Sequence, residues 1–275
     1  SGDADGEVEH IANVILKKIR ISSAFPFDDR GYWLPRPLSF QPKPDDPKQR
    51  KALKQIRYLN SEQFEQVARG EQPANLLSVA QPDVWAREVT QRVKVSYEAD
   101  SEPFYLEKLY AQPDAGLYFI VEKDEDLPDE AWQKFNAVLR LLGDNGIGLQ
   151  RALGNGQFTP AADSFAMNLP ERATNWMALS LYRPAERAEV EPHLAGSFYQ
   201  FTKRGGWVSA PEKEDNLSLR KKSVMMFTEG SVFNFGQQET ATVTKGQIVD
   251  LRPEIDTINH PIWRDGRAIF LPVIK

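Results

Sequence analysis

One segment of the 275-residue chain concentrates glycine around a single cation, which is a composition that suits phosphate binding. The segment Gly143–Phe158 contains five of the 17 glycines and one basic residue, Arg151. Glycine permits positive φ angles and has no Cβ, so successive backbone N–H groups can approach phosphate oxygens. We interpret this glycine loop as a cradle for nucleic acid, in which Arg151 neutralises a phosphate.

A second segment, Lys203-Arg204-Gly205-Gly206-Trp207, combines two cations, two glycines and one flat aromatic ring. A binding site for single-stranded RNA uses both cationic and aromatic side chains. Cations neutralise its phosphates, and an aromatic ring stacks an unpaired base with a gain of roughly 1–3 kcal/mol. The alternative is that Trp207 belongs to the core and that the two glycines form an ordinary turn.

The order of elements around the glycine loop excludes a dinucleotide fold. Apolar residues at three- and four-residue spacing predict a helix over Asp129–Leu142, and a strand-like pattern covers Gln157–Met167. A dinucleotide-binding loop lies between a strand and the helix that follows it, and its pattern requires glycine where Arg151 stands. An ordinary turn after a helix that is capped at Gly143 is the remaining alternative.

Composition restricts the function further. Hydrophobic residues make up 41% and charged residues 27%, as in ordinary globular proteins, and the chain has no cysteine for disulfides, thiolate metal sites or thiol nucleophiles. No apolar run approaches the roughly 18 residues of a membrane span, and the first residues do not resemble a signal peptide. We expect a cytoplasmic protein without metal or cofactor. Because the net charge is −5, RNA binding must depend on local basic patches.

Two further basic clusters could serve as such patches. Lys51, Lys54 and Arg57 lie on one face of a helix predicted over Pro47–Arg57, where they form either a phosphate stripe or a solvated surface. The run Arg220-Lys221-Lys222 begins a strand predicted to reach Phe227. Alternation along that strand would place Arg220 and Lys222 on one face and Lys221 on the other.

No catalytic residue is predicted. His10, His193 and His260 are far apart in sequence, without a carboxylate or second histidine at metal-ligand spacing, and the common nucleotide-binding, esterase and zinc-protease motifs are missing. One alternative is a metal-independent endoribonuclease in which His10 or His193 acts as acid or base. Another is a protein-interaction module whose basic clusters only increase solubility.

The order of helix-like and strand-like patterns predicts an α+β fold with antiparallel sheets. Alternation predicts strands over Arg92–Tyr97, Phe104–Tyr110 and Leu117–Glu122, and the second half repeats the scheme. Two segments that contain prolines, Ile21–Phe27 and Tyr32–Pro37, are expected at a sheet edge or in a loop. We predict two tandem ferredoxin-like (RRM-like) domains, residues 1–168 and 169–275, the first without its opening strand.

Segments spread over residues 21–274 carry a family resemblance. They are Ile21–Phe27 with Leu34–Pro37, the spaced Lys51, Lys54, Arg57 and Tyr58, Arg92–Val95, the glycine loop, Gly196–Tyr199 with Lys203–Trp207, Arg220–Ser223 with Met226–Phe233, and His260-Pro261 with Arg264 and Gly266. Together they resemble the RAMP proteins of CRISPR effector complexes, and within them the subunit of type III-A (Csm) complexes that binds the 5′ handle of the guide RNA (crRNA).

The resemblance implies a non-catalytic scaffold with two ferredoxin-like RNA-recognition folds, which hold the handle between them and the glycine loop. It implies as partners the crRNA handle, a large palm-domain subunit, a backbone RAMP subunit and, indirectly, target RNA, with no membrane. Family members have a strand and a helical segment before the part that corresponds to Ile11. The predicted RNA-binding residues are Ser22, Ser23, Lys51, Lys54, Arg57, Arg92, Gly146, Gly148, Arg151, Gly154, Gly156, Lys203, Arg204, Gly205, Gly206, Trp207, Arg220, Lys222 and Ser231.

Overall fold

The structure, a computed structural model, describes residues 13–43, 47–94, 102–148, 150–208, 219–237, 246–254, 258 and 260–274. Within these residues the chain is α+β, and every pair of neighbouring strands is antiparallel. The predicted fold class is confirmed at this level. The predicted domains 1–168 and 169–275 remain a prediction, as does the tandem ferredoxin-like arrangement.

The elements are short, apart from one hairpin and one helix. The helices are α1 (residues 13–18), α2 (Arg50–Gln55), α3 (Ser61–Ala68), α4 (Asp129–Asn145) and α5 (Arg187–Val190). The strands are β1 (Ile19–Ile21), β2 (Phe25–Asp28), β3 (Gly31–Pro35), β4 (Tyr58–Asn60), β5 (Trp85–Lys94), β6 (Glu102–Ala111), β7 (Gly116–Tyr118), β8 (Val121–Lys123), β9 (Asn175–Ala178), β10 (Phe201–Arg204), β11 (Val224–Phe227), β12 (Val232–Asn234), β13 (Ile248–Asp250), β14 (Trp263–Asp265) and β15 (Phe270–Val273).

The chain divides into two compact units. Unit 1 comprises residues 1–22 and 120–168, and unit 2 comprises residues 23–119 and 169–275. In unit 1, β1 pairs with β8, and α4 leads into the glycine loop. Unit 2 contains the sheets β4-β3-β2-β7 and β12-β9-β15 and the hairpins β5-β6, β10-β11 and β13-β14.

An aromatic core in unit 2 supports the β10-β11 hairpin. The Tyr182 ring is fully buried and packs edge-on against Phe233 and Phe270, with ring centroids 5.5 and 5.2 Å away. Phe227, the last residue of β11, stacks on Tyr182, and its ring centroid also lies 4.4 Å from that of Phe201 in β10. Burying each such ring contributes on the order of 2–3 kcal/mol, so the base of this hairpin is fixed.

Local capping explains where α3 begins and ends. The Asn60 side chain accepts the Gln63 N–H at 2.9 Å, and the Gln63 side chain accepts the Asn60 N–H at 3.3 Å. This reciprocal pair is a capping box, which satisfies two N–H groups at the start of α3. The helix is followed by Gly70 at φ +81°, a conformation that glycine adopts without steric cost.

The expectation that the two proline-containing segments lie at an edge or in a loop is wrong. In the sheet order β4-β3-β2-β7, both β2 and β3 are interior strands. The β2-β3 ladder joins only Phe27 to Tyr32 and Asp28 to Gly31 and leaves out Pro26, which lies opposite Leu117 in the three-residue β2-β7 ladder. Proline is tolerated here because these ladders are short.

Hairpin β5-β6 is the longest paired segment and confirms two predicted strands, Phe104–Tyr110 in full and Arg92–Tyr97 as far as Lys94. Its ladder runs from Trp85, opposite Ala111, to Lys94, opposite Glu102. In the described part of the chain no third strand pairs with it. Arg92, a predicted RNA-binding residue, is exposed on this hairpin and lies opposite Phe104.

The strand expected over Gln157–Met167 is not formed, since the structure gives these residues no regular secondary structure. The Phe158 N–H donates instead to the carbonyl of Gly143 at 3.1 Å. The helix also continues past Gly143 to Asn145, and Gly146 is its C-cap. The backbone after the loop therefore folds against the end of α4.

The turn between β2 and β3 yields a pH-dependent prediction. Burial would raise the pKa of Asp28, but hydrogen bonds from Arg30 and Trp33 outweigh it and hold this pKa below its ordinary value. Because the folded-state pKa is below the unfolded one, the stabilisation is complete above the unfolded pKa of about 3.9 and is lost as the pH falls through the folded pKa. Asp28→Asn should lower the free energy of unfolding by about 1–2 kcal/mol at neutral pH. Urea unfolding should show a much smaller difference between the variant and the wild type near pH 2.5.

Candidate RNA-binding groove

A groove at the end of hairpin β10-β11 gathers most of the second predicted segment. Its volume is about 380 Å³, and it is lined by Lys203, Gly205, Gly206, Trp207, Arg220, Lys221 and Ser223. The sequence singled out five of these residues as RNA-binding. Sequence reasoning missed Lys221 and Ser223, although Lys221 belongs to the basic run at 220–222. We call this cavity the groove.

The groove exists because two segments that are distant in sequence run side by side. Beyond the β10-β11 ladder, Trp207 forms an isolated bridge with Arg220, and the Lys221 N–H donates to the Gly206 carbonyl at 2.8 Å. Gly206 has φ +124°, which a side chain would disfavour, although nothing lies within 4 Å of its Cβ position. Glycine is therefore favoured at position 206 by its backbone conformation, and not because a neighbouring atom would collide with a side chain.

Trp207 is a surface residue, contrary to the alternative that placed it in the core. Its side chain is 54% exposed, and the Arg220 guanidinium lies 4.7 Å from its ring centroid. Such a cation–π contact orients the guanidinium over the ring. An exposed indole backed by a cation can stack an unpaired base and attract the adjoining phosphate.

The cations of the groove are not neutralised by the described residues around them. Lys203, Arg220 and Lys221 have no carboxylate within 4.0 Å among those residues. Lys222 differs, because its Nζ lies 3.0 Å from Glu254. The groove therefore presents positive charge beside an aromatic surface.

The expected alternation of Arg220, Lys221 and Lys222 is wrong. The strand begins only at Val224, so strand alternation does not apply to residues 220–222. Arg220 and Lys221 both line the groove, whereas the Lys222 N–H donates to the Leu251 carbonyl at 2.9 Å. Arg204 is exposed on β10 opposite Val224 and lies outside the groove lining.

Three predicted serines have structural contacts. Ser231 is fully buried, and its hydroxyl accepts the Gln200 N–H at 3.4 Å, so it offers no surface to RNA. Ser22 is also buried, and its hydroxyl accepts the Ile120 N–H at 2.8 Å. Ser23 is half-buried and its N–H donates to the Leu179 carbonyl at 2.9 Å. Ser22 and Ser231 are therefore corrected from RNA contacts to residues that hold backbone segments together.

Three glycines of the loop in unit 1 are explained by the loop's own close backbone approaches. A Cβ would lie 2.3 Å from the Phe158 carbonyl oxygen at Gly143, 2.6 Å from that of Asn155 at Gly146, and 1.8 Å from that of Ile147 at Gly156. The Ile147 N–H also donates to the Gly156 carbonyl at 2.9 Å. These positions require glycine whether or not the loop binds a ligand.

Gly148, Arg151 and Gly154 of the loop are exposed to solvent. Gly148 and Gly154 have φ +91° and +74°, and nothing lies within 4 Å of either Cβ position. Arg151 is exposed at the start of the one-turn 3₁₀ helix Arg151–Leu153. RNA contact through Arg151 and the open glycines is consistent with this geometry.

The basic stripe on α2 is shorter than expected. Lys51 and Lys54 are exposed on the helix, but α2 ends at Gln55, and Ile56 has an extended conformation. Arg57 is therefore exposed beyond the helix rather than on its face.

Sequence reasoning missed Arg36. Its backbone N–H donates to the Arg57 carbonyl at 2.9 Å, and its guanidinium donates to the Leu53 carbonyl at 3.2 Å. Its only signal was the motif Leu34-Pro-Arg-Pro37.

The described histidines have structural contacts, and the predicted His10 lies outside the described residues. His193 Nδ1 is 2.9 Å from the Asn234 carbonyl, and its ring packs edge-on against Phe235. His260 Nδ1 is 3.2 Å from the Pro261 carbonyl.

The described ranges contain no group of three side chains placed to hold a metal ion. None of the helices within those ranges combines the length and hydropathy that crossing a membrane requires.

Comparison with known sequences agrees with the resemblance. Residues 171–273 match the model of the CRISPR Csm4 C-terminal domain. The chain is 26% identical over 262 residues to the CRISPR system Cms protein Csm4 of Mycobacterium tuberculosis (strain CDC 1551 / Oshkosh), covering 94% of this chain and 80% of the relative. It is 25% identical over 237 residues to the Thermococcus onnurineus (strain NA1) protein of the same name, covering 82% and 73%.

Solved structures share the fold. A crystal structure of a Csm1-Csm4 cassette in complex with cA4 matches with a TM-score of 0.61 and 20% identity, over 98% of this chain and 84% of the other. A Csm3-Csm4 subcomplex of the type III-A CRISPR-Cas interference complex matches with a TM-score of 0.57 and 17% identity, over 97% and 87%. The predicted resemblance to Csm4 proteins is confirmed.

Proposed function

We propose that this chain, which is related to the Csm4 RAMP subunits of type III-A CRISPR complexes, is a non-catalytic subunit that binds the 5′ handle of the crRNA. The observation that supports handle binding most directly is the groove, which is lined by Lys203, Arg220 and Lys221 together with the half-exposed ring of Trp207. Unpaired RNA is bound by this combination, since a ring stacks a base while cations neutralise the phosphates on either side.

The net charge of −5 makes the local arrangement decisive. A protein with this balance does not attract RNA over its whole surface, so affinity must come from places where cations are not neutralised by carboxylates. The groove meets that condition among the described residues. Exposed Arg151 in the glycine loop, Lys51 and Lys54 on α2 and Arg92 on β5 are further proposed phosphate contacts.

The proposed subunit is a scaffold with two ferredoxin-like domains in tandem, residues 1–168 and 169–275, and it works in the cytoplasm. Relatives of this fold have been solved as a Csm1-Csm4 cassette and as a Csm3-Csm4 subcomplex. We infer that this chain likewise binds a large palm-domain subunit and a backbone RAMP subunit and contacts target RNA only indirectly. The crRNA handle would be held where these subunits meet.

Charge reversal in the groove tests RNA binding. Lys203→Glu with Lys221→Glu, in the complex assembled with partner subunits, should weaken binding of single-stranded handle RNA. The slope of log affinity against log salt should become shallower by about 0.7 for each phosphate that the protein no longer neutralises. A filter-binding titration at several salt concentrations measures both quantities.

The matched control changes the net charge by the same amount elsewhere. Lys134→Glu with Arg187→Glu removes two cations that are already paired with Glu130 and Glu191, at 3.1 and 2.7 Å. If both double variants retain guide RNA and salt dependence equally, the groove is not the RNA site. Cleavage of repeat RNA by the wild-type chain, abolished in both His10→Ala and His193→Ala, would instead establish the endoribonuclease alternative.

A further inference from the structure

Arg36 is held rigidly beside the end of α2. Prolines 35 and 37 flank it in sequence, which restricts the backbone on both sides. Its backbone N–H donates to the Arg57 carbonyl at 2.9 Å, and its guanidinium donates through Nη1 to the Leu53 carbonyl at 3.2 Å. The position of this cation is therefore set by the backbone, unlike that of a flexible surface side chain.

The guanidinium of Arg36 is half-buried and forms no ion pair with a carboxylate of the described residues. Burial lowers the pKa of its guanidinium from the ordinary value, although arginine remains protonated. Among the described residues no Asp or Glu oxygen lies within 4.0 Å of it. Proteins ordinarily pair a cation that is removed from water. An unpaired one at a fixed position is suited to an anionic ligand.

Capping of α2 explains only part of this arrangement. A cation at a helix C-terminus interacts favourably with the helix dipole and can bond the last carbonyls. One guanidinium N–H is used for the Leu53 carbonyl, while the group carries five. Arg69 provides the comparison, because it is the C-cap of α3 and is accompanied by Glu65 at 3.8 Å and Glu71 at 3.4 Å. Among the described residues, the cation at the end of α3 thus has carboxylate partners, whereas Arg36 at the end of α2 has none within 4.0 Å.

Two exposed cations adjoin the carbonyls that Arg36 contacts. Lys54 follows Leu53 in the last turn of α2, and the carbonyl that accepts the Arg36 N–H belongs to Arg57 itself. Three positive residues therefore share one helix end. A guanidinium presents its donors in a planar fork that matches two oxygens of a phosphate, and neighbouring cations strengthen that contact.

We propose that Arg36, together with Lys54 and Arg57, forms a phosphate-binding site at the C-terminal end of α2. The site takes a phosphodiester of the RNA backbone, and this source of the phosphate rests on the proposed function. Its part in recognition is to fix the position of the strand, because a phosphate contact carries no information about base sequence.

The test compares Arg36→Met with Arg69→Met in the full chain assembled with its partner subunits. Methionine retains an unbranched apolar stem and removes the charge in both variants. Arg36→Met should weaken binding of single-stranded RNA about tenfold, as expected when one charge-assisted hydrogen bond is removed. It should also reduce the salt slope by about 0.7, equally for RNAs of different sequence. Arg69→Met should leave affinity and slope unchanged.

Thermal melting of the same samples separates binding from capping. If Arg36→Met lowers the melting temperature but leaves RNA affinity and salt slope as in the wild type, Arg36 only caps α2 and the inference is wrong. A result in which the Lys203 and Lys221 variants fail to bind RNA while Arg36→Met still binds it would overturn the inference and leave the proposed function intact.

A second probe covers the case in which the wild-type assembly binds no RNA, which would contradict the proposed function. Inorganic phosphate should then still raise the melting temperature of the wild type, and this stabilisation should disappear in Arg36→Met but persist in Arg69→Met. Equal stabilisation of all three proteins by phosphate would overturn the site itself.

Discussion

Replacing Trp207 by alanine is expected to weaken binding of single-stranded RNA roughly 10- to 100-fold, because stacking a base on an aromatic ring is worth about 1–3 kcal/mol. The ring is 54% exposed, so its removal should change the free energy of unfolding little. The substitution also frees the Arg220 guanidinium, which lies 4.7 Å from the ring centroid, from its orienting contact. Affinity should therefore fall while the salt slope stays close to that of the wild type.

Two variants control for the removal of an exposed aromatic surface. Trp207→Phe keeps a flat ring and should retain most of the affinity. Trp263→Ala removes a ring of similar exposure, 48%, from β14, outside the groove lining. RNA titrations and urea unfolding of all three proteins distinguish binding from folding. Equal decreases of affinity in Trp207→Ala and Trp263→Ala would show that the groove does not stack a base.

Among substitutions of alanine for single glycines in the glycine loop, Gly156→Ala should destabilise the protein most. Its Cβ would lie 1.8 Å from the Ile147 carbonyl oxygen, a backbone atom that cannot rotate away. A left-handed conformation costs a side chain about 1–2 kcal/mol, and an overpacked site adds about 1–3 kcal/mol. Together these costs predict a destabilisation of roughly 2–5 kcal/mol, or a rearranged loop in which the bond from the Ile147 N–H to the Gly156 carbonyl is broken.

Gly154→Ala isolates the steric part of this effect. Gly154 has φ +74° and Gly156 has φ +78°, so alanine meets the same backbone cost at both positions. Only Gly156 is crowded, since nothing lies within 4 Å of the Gly154 Cβ position. Urea unfolding of the two variants measures the difference, and hydrogen exchange of the Ile147 amide reports the bond directly. Similar unfolding free energies for both variants would contradict the close approach.

Local sequence signals were sufficient where neighbouring residues determine the structure. The periodicity over Asp129–Leu142 predicted α4, and the boundaries of α3 follow from Asn60, Gln63 and Gly70. These are contacts within one or two turns of a helix, so they are written in the spacing of the chain. The combination of cations, glycines and tryptophan in residues 203–207 likewise predicted the centre of the groove.

Expectations failed where strand pairing between distant residues decides the outcome. Prolines were expected to keep β2 and β3 out of a sheet interior, but their short ladders accommodate Pro26. The strand-like pattern over residues 157–167 met no partner strand in the described chain. An isolated stretch with strand propensity remains irregular unless a neighbouring strand satisfies its backbone.

The sequence by itself determined the α+β class, the resemblance to the RAMP subunits and the residue types that suit RNA. Only the tertiary structure decided which of those residues share a surface. It joined Lys221 to Gly206 across a hairpin, buried Ser231 and ended α2 before Arg57. The reason is that the side chains of a binding surface come from segments far apart in the chain. Their meeting depends on which backbone groups pair, and residue spacing within one segment does not record that pairing.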